Sequence, residues 1–155
     1  MGEFAAFIGV PGVAYTTATV LAAVLSALAA VWTVALAMID GEERRLPNAL
    51  TLPAAALAVV ACVVEPAGWW GLIWPALYVV AGRGIGGGDV KLAVPLGVAL
   101  ALVGGAGAVL AGMLLASVFT VVFLVLTKQN ATAHGPSMLA AAWIVGFAST
   151  FLWRV

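Results

Sequence analysis

Two aspartates stand where an apolar chain rarely keeps them. Asp40 ends a long apolar run, and Asp89 closes the string Gly86-Gly87-Gly88-Asp89 at the start of another. A carboxylate at a membrane span is costly to insert and marks a functional-site candidate. Two of them, at opposite ends of different spans, form a candidate pair. Paired carboxylates can hydrolyse an amide with neither a metal nor a covalent intermediate. One, ionised, takes a proton from water, while the other, protonated, donates to the carbonyl oxygen. The pair works because adjacent carboxylates cannot both ionise cheaply and so share one proton. Each aspartate's own helix end points to Asp89 as base, at a helix start, and Asp40 as acid, at a helix finish. The titration nevertheless belongs to the pair.

The neighbours supply candidate binding groups. Glu42 and Glu43, beside Asp40, either attract a basic partner or form a plain solvated face. Gly82, Gly84, Gly86, Gly87 and Gly88 crowd into seven positions, more than a turn requires. Such a run permits close backbone approach, to an extended substrate or to another helix. Glu42, Glu43, Gly86, Gly87, Gly88 and Lys91 are therefore the substrate-binding candidates, with lipid headgroups an alternative partner for Arg83 and Lys91. Other signals carry less. Gly82-Arg83-Gly84-Ile85-Gly86-Gly87 fits a dinucleotide fingerprint but follows an apolar span, and no acidic residue stands about twenty positions on. His134, the single histidine, has no nucleophile near it and reads as structural or solvated. Cys62 is the one cysteine, so no thiolate zinc site forms, and neither a metal nor a cofactor is expected.

The elements that hold these residues follow from composition. The chain of 155 residues is 65% hydrophobic and 8% charged, against about a quarter charged in a soluble domain. With a mean hydropathy of +1.22 it reads as a single membrane-embedded all-α domain, residues 1–155. Zero formal net charge points away from nucleic acid. The N-terminus has no basic region or cleavage site for a removable signal, and Ala6 stands where myristoylation needs a hydroxyl. At about 20 apolar residues per helix, charges and turn residues predict about six spans. The first runs from about Tyr15 to Ile39 after an interfacial lead-in broken by Pro11-Gly12. The next two cover Ala49 to Val64 and Trp69 to Ala81. Leu92 to Leu126 is long enough for two, broken at Gly104-Gly105-Ala106-Gly107, and Met138 to Trp153 is the sixth. Ala108 and Gly112 have the spacing of helix packing, and Trp69, Trp70 and Trp153 read as interface anchors. Arg44, Arg45, Arg83, Lys91 and Lys128 fall on one face and only Arg154 on the other, which makes the first face cytoplasmic. Both aspartates lie on that face. The sequon at Asn130 lies there too and reads as unglycosylated.

Asp40 with Arg45-Leu46-Pro47-Asn48-Ala49-Leu50-Thr51-Leu52-Pro53, followed by Gly82-Arg83-Gly84-Ile85-Gly86-Gly87-Gly88-Asp89-Val90-Lys91-Leu92, resembles the type IV prepilin peptidases, which are GxGD-type membrane aspartic proteases. Gly135-Pro136 at the last span resembles the family's Gly-Pro pair, with His134 in place of the usual phenylalanine. The resemblance runs from about Asp40 to the C-terminus. It implies Asp40 and Asp89 as the catalytic dyad in a bacterial inner membrane. It also implies cleavage on the cytoplasmic side, after a glycine that ends a short basic leader of a prepilin or pseudopilin. Larger members of the family add zinc-binding CxxC pairs and N-methylation. This chain has no such pairs, so peptidase activity without methyl transfer is expected. Other GxGD proteases place Pro-Ala-Leu after the GxGD, whereas Pro75-Ala76-Leu77 precedes it here. An ion or proton transporter is the non-enzymatic alternative, but both aspartates lie near one face rather than mid-span. Neither the substrate nor the oligomeric state is legible.

Overall fold

The structure is a computed structural model that describes residues 11–82, 84–129 and 131–152. The lead-in before Pro11, together with Arg83, Asn130, Trp153, Arg154 and Val155, lies outside them. Among the described residues every regular element is helical. In order they are α1 (Pro11–Glu43), α2 (Asn48–Val64), a 3-10 helix (Pro66–Leu72), α3 (Ile73–Ala81), α4 (Gly87–Thr127) and α5 (Gly135–Leu152). The all-α expectation holds. Two stretches, Thr19–Glu43 and Gly87–Thr127, are long and apolar enough to cross a membrane, while α2 and α5 are apolar but shorter.

The chain forms two compact units. Residues 1–35 make the first, which in its described part is the body of α1, with every side chain from Thr19 to Val31 exposed. Large apolar groups such as Leu21, Leu25 and Leu28 stand outward. In water this would be unstable, whereas against hydrocarbon it carries no penalty.

Residues 36–155 make the second unit, and α4 is its axis. It packs most extensively on α5, then on the 3-10 helix, α2 and α3. Its buried positions explain why. Ala93, Gly97 and Ala101, then Ala108, Gly112 and Ala116, recur every four residues and are all buried. Small residues at this spacing let backbones approach closely, the main route to packing where apolar burial gives no advantage. The closest approach is backbone on backbone, where a Cβ on Gly97 would strike the carbonyl oxygen of Gly71. That contact seats the 3-10 helix against α4, and Trp69 and Trp70 lie in this helix rather than in the single span predicted for Trp69 to Ala81. Cys62, fully buried, packs with Ala58 and Val98, with Leu72 and Val94 around them.

The predicted break in the long apolar run is present. Within α4, Gly104 (φ −154°, ψ 16°) and Gly105 (φ 63°, ψ −163°) leave the helical region. The conformation at Gly105 is one that side-chain-bearing residues avoid. Gly104 in turn abuts Ser149 of α5, whose Oγ would lie 2.8 Å from a Cβ there.

Two ends differ from expectation. α1 runs past the expected end at Ile39 to Glu43, so Asp40 lies within its last turn, at the helix finish read from sequence. The helix stops at Arg44, which adopts φ 53° and donates its N–H to the Asp40 carbonyl at 3.0 Å. α4 starts at Gly87 rather than Leu92, so Asp89 lies in its first turn.

Candidate active site

Asp40 is 4% exposed, although it lies three residues from the end of its helix. Its Oδ2 accepts a hydrogen bond from the Gly135 N–H, the first amide of α5, at 3.1 Å. Residue 135 must be glycine for this to occur, because a Cβ there would fall 2.5 Å from Asp40 Oδ2. The carboxylate is thereby held against the N-terminus of a helix 95 residues away in sequence.

Asp89 occupies the first turn of α4, half-buried, with the Gly86 amide as its backbone partner. This is the reach-back of an acidic residue in a first turn to the residue that caps the helix. The two aspartates lie within electrostatic range of one another. From sequence, their roles separate by each one's own helix end. The structure adds the start of α5 to the surroundings of Asp40, so both carboxylates face helix N-termini, and helix fields no longer separate acid from base.

Two contacts draw the aspartate motifs together. Leu46, 7% exposed, lies over Gly88, where a Cβ would come within 3.1 Å of the leucine Cβ. Lys91 donates from Nζ to Asn48 Oδ1 at 2.8 Å. Leu46 and Asn48 flank Pro47, whose carbonyl accepts from the buried Thr51 hydroxyl at 3.1 Å and starts α2. The Leu-Pro-Asn-Ala-Leu-Thr segment thus begins a helix and at the same time seats the glycine string.

Of the binding candidates, Gly86 caps α4, Gly87 faces open space and Gly88 packs under Leu46. Glu42 and Glu43 are exposed at the end of α1, and Glu43 pairs with Arg45 at 3.5 Å. Lys91, half-buried, bonds to Asn48. None of these six lines the cleft of about 340 Å³ that opens beside the Asp40–Gly135 contact, between Gly41, Arg44, Phe123, Thr132, Pro136 and Ser137. Among the described residues no cluster of histidine, cysteine and carboxylate side chains has the makings of a metal site.

His134 is structural rather than solvated, and both of its ring nitrogens have partners. Its Nε2 lies 2.7 Å from the Tyr78 hydroxyl and its Nδ1 2.6 Å from Thr120 Oγ1. Its carbonyl accepts the Met138 N–H at 3.1 Å. Tyr78 in turn meets the fully buried Trp74 edge to face, with ring centroids 6.2 Å apart, and is within electrostatic range of Asp89. Burial pushes the His134 imidazole below its ordinary pKa of 6.5, so the ring is neutral. The sequence carried no signal for this, since Tyr78 is 56 residues away.

The helices and the two aspartate motifs define an apolar, all-helical protein with a carboxylate-bearing site at helix ends. Residues 27–125 match the type IV leader peptidase family, and the chain belongs to that family. The matched stretch contains both aspartate motifs and ends before Gly135. A search of curated proteins and a search of solved structures each gave no match. With its apolar helices, the family makes this a membrane protein of protease type.

Proposed function

We propose that the chain is an aspartic endopeptidase of about six membrane spans that removes a short basic leader from prepilin-like proteins, cutting after a glycine on the cytoplasmic side of the membrane. The observation that carries this reading is the convergence of Asp40 and Asp89 on two helix ends within electrostatic range, in a member of the leader peptidase family. One carboxylate, ionised, removes a proton from water, and the resulting hydroxide adds to the scissile carbonyl carbon. The other, protonated, gives its proton to the carbonyl oxygen. Collapse of the tetrahedral species breaks the C–N bond as the first carboxylate returns its proton to the leaving amine. The second takes back a proton from a hydroxyl of the gem-diol, which re-forms the carbonyl and restores the pair. The Gly135 amide holds Asp40 in place through these exchanges. Glu42 and Glu43, exposed beside Asp40, are suited to a basic leader.

The test is co-expression with a glycine-leader prepilin, comparing wild type with Asp40→Asn and Asp89→Asn. Each variant abolishes processing if the pair is the dyad, and processing that survives either substitution overturns it.

A further inference from the structure

We propose that His134 is a positioning residue for this site, a latch that clamps the start of α5 to α3 and α4 and so sets the Gly135 amide that Asp40 accepts. The inference rests on the peptidase reading and adds to it a residue that touches neither substrate nor aspartate.

With the Thr120 hydroxyl kept on its helix carbonyl, the hydrogen bonds around the ring close in one way. The Thr120 hydroxyl donates its single proton to the Ala116 carbonyl at 3.0 Å. It is then an acceptor for His134 Nδ1–H at 2.6 Å. A neutral imidazole with its proton on Nδ1 has a bare Nε2, which accepts from Tyr78 O–H at 2.7 Å. The ring is thus fixed by α4 on one side and by α3 on the other. Burial keeps it neutral, which this tautomer requires. Its backbone carbonyl takes the Met138 N–H, so the same residue starts α5. The next amide along is Gly135 N–H, on Asp40. One bond further from the ring lies Tyr78, in the field of Asp89. A shift of the ring therefore moves the amide on one aspartate and the hydroxyl near the other.

The variants are His134→Leu, which removes both bonds, and His134→Gln, whose terminal amide can again meet the Tyr78 hydroxyl. Tyr78→Phe removes the same bond from its other end. They are compared in detergent micelles on a peptide with a basic leader ending in glycine and followed by an apolar stretch. Tyr78→Phe lowers kcat about tenfold, the worth of one well-placed hydrogen bond, and His134→Leu, which removes two, lowers it at least as far, both at unchanged KM. His134→Gln restores kcat to within about twofold. In parallel, the Gly135 amide resonance of ¹⁵N-glycine-labelled protein moves in His134→Leu and returns in His134→Gln. A His134→Leu enzyme with wild-type kcat, a loss confined to KM, or a loss that glutamine leaves unrepaired overturns the latch. Should the wild type cleave no leader peptide, the peptidase reading fails separately, and an unmoved Gly135 resonance in His134→Leu overturns the positioning.

Discussion

Lys91 and Asn48, 43 residues apart, are joined by a hydrogen bond of 2.8 Å from the lysine ammonium to the asparagine side-chain oxygen. The bond links the glycine–aspartate motif to the Leu-Pro-Asn motif that follows the first aspartate. A basic residue read from sequence as a lipid or substrate contact thus also ties the two motifs together.

Breaking that tie has a defined signature. Asn48 is exposed and Lys91 only half-buried, so the bond is screened and worth about 1 kcal/mol. Lys91→Met and Asn48→Ala should each lower the Tm by about 2–4 °C for a chain of this size. The double variant should fall no further than the worse single, because both remove the same interaction. Thermal unfolding in micelles reads all three. Full additivity would mean that the bond contributes nothing. Cleavage retained by Lys91→Met removes the lysine from any catalytic role.

Gly135→Ala tests the other long-range contact. The added Cβ, 2.5 Å from Asp40 Oδ2, must displace either the carboxylate or the start of α5. A misplacement of about 1 Å at a reacting group costs on the order of 100-fold in rate. The expected outcome is a kcat lower by about that factor in a protein that still folds. Gly41→Ala, one residue from Asp40 but facing open space, should remain near wild type. Leader cleavage by both variants, measured side by side, distinguishes a local clash from a general intolerance of alanine.

The sequence was most informative where chemistry and hydropathy coincide. Asp40 and Asp89 are visible because a carboxylate in an apolar chain is improbable without a use. The break at Gly104–Gly105 is visible because two adjacent glycines cannot sustain a long helix. The Ala108–Gly112 spacing is the packing stripe it predicts. What escaped is what tertiary contact decides. Nothing in Asp40's own segment predicts the Gly135 amide, and it is that amide which cancels the acid–base distinction drawn from isolated helix ends. The seating of the 3-10 helix Pro66–Leu72 on α4 places Gly71 against Gly97, a contact that no local propensity specifies. His134 reads as structural or solvated with no partner to name, because both of its partners, Tyr78 and Thr120, lie outside its own segment.

The fold should lose stability in acid through His134. Burial sets its folded pKa below the ordinary 6.5 of the unfolded chain. Between the two values the unfolded state binds a proton that the folded state refuses, so stability rises with pH there. It is complete above about 6.5, falls as pH drops below that value, and levels off once pH passes the folded pKa. A Tm series from about pH 8 to about pH 5 is the measurement. His134→Gln, which cannot titrate, should flatten the acid side of the curve, and an unchanged slope would assign the loss to the carboxylates instead.

Gly105 offers a test of the break free of side-chain clash. Its φ of 63° and ψ of −163° belong to a region almost restricted to glycine, yet a Cβ built there meets nothing within 4 Å. Gly105→Ala therefore isolates backbone strain, and it should destabilise the protein by about 1–3 kcal/mol. Gly107, two residues on, also faces open space and is helical, so Gly107→Ala should be neutral or stabilise by up to about 1 kcal/mol. The contrast between the two alanines, read as Tm in micelles, reports the turn itself. If Gly105→Ala is as benign as Gly107→Ala, residues 87–127 can run straight through, and the packing of Gly104 against Ser149 cannot depend on the break.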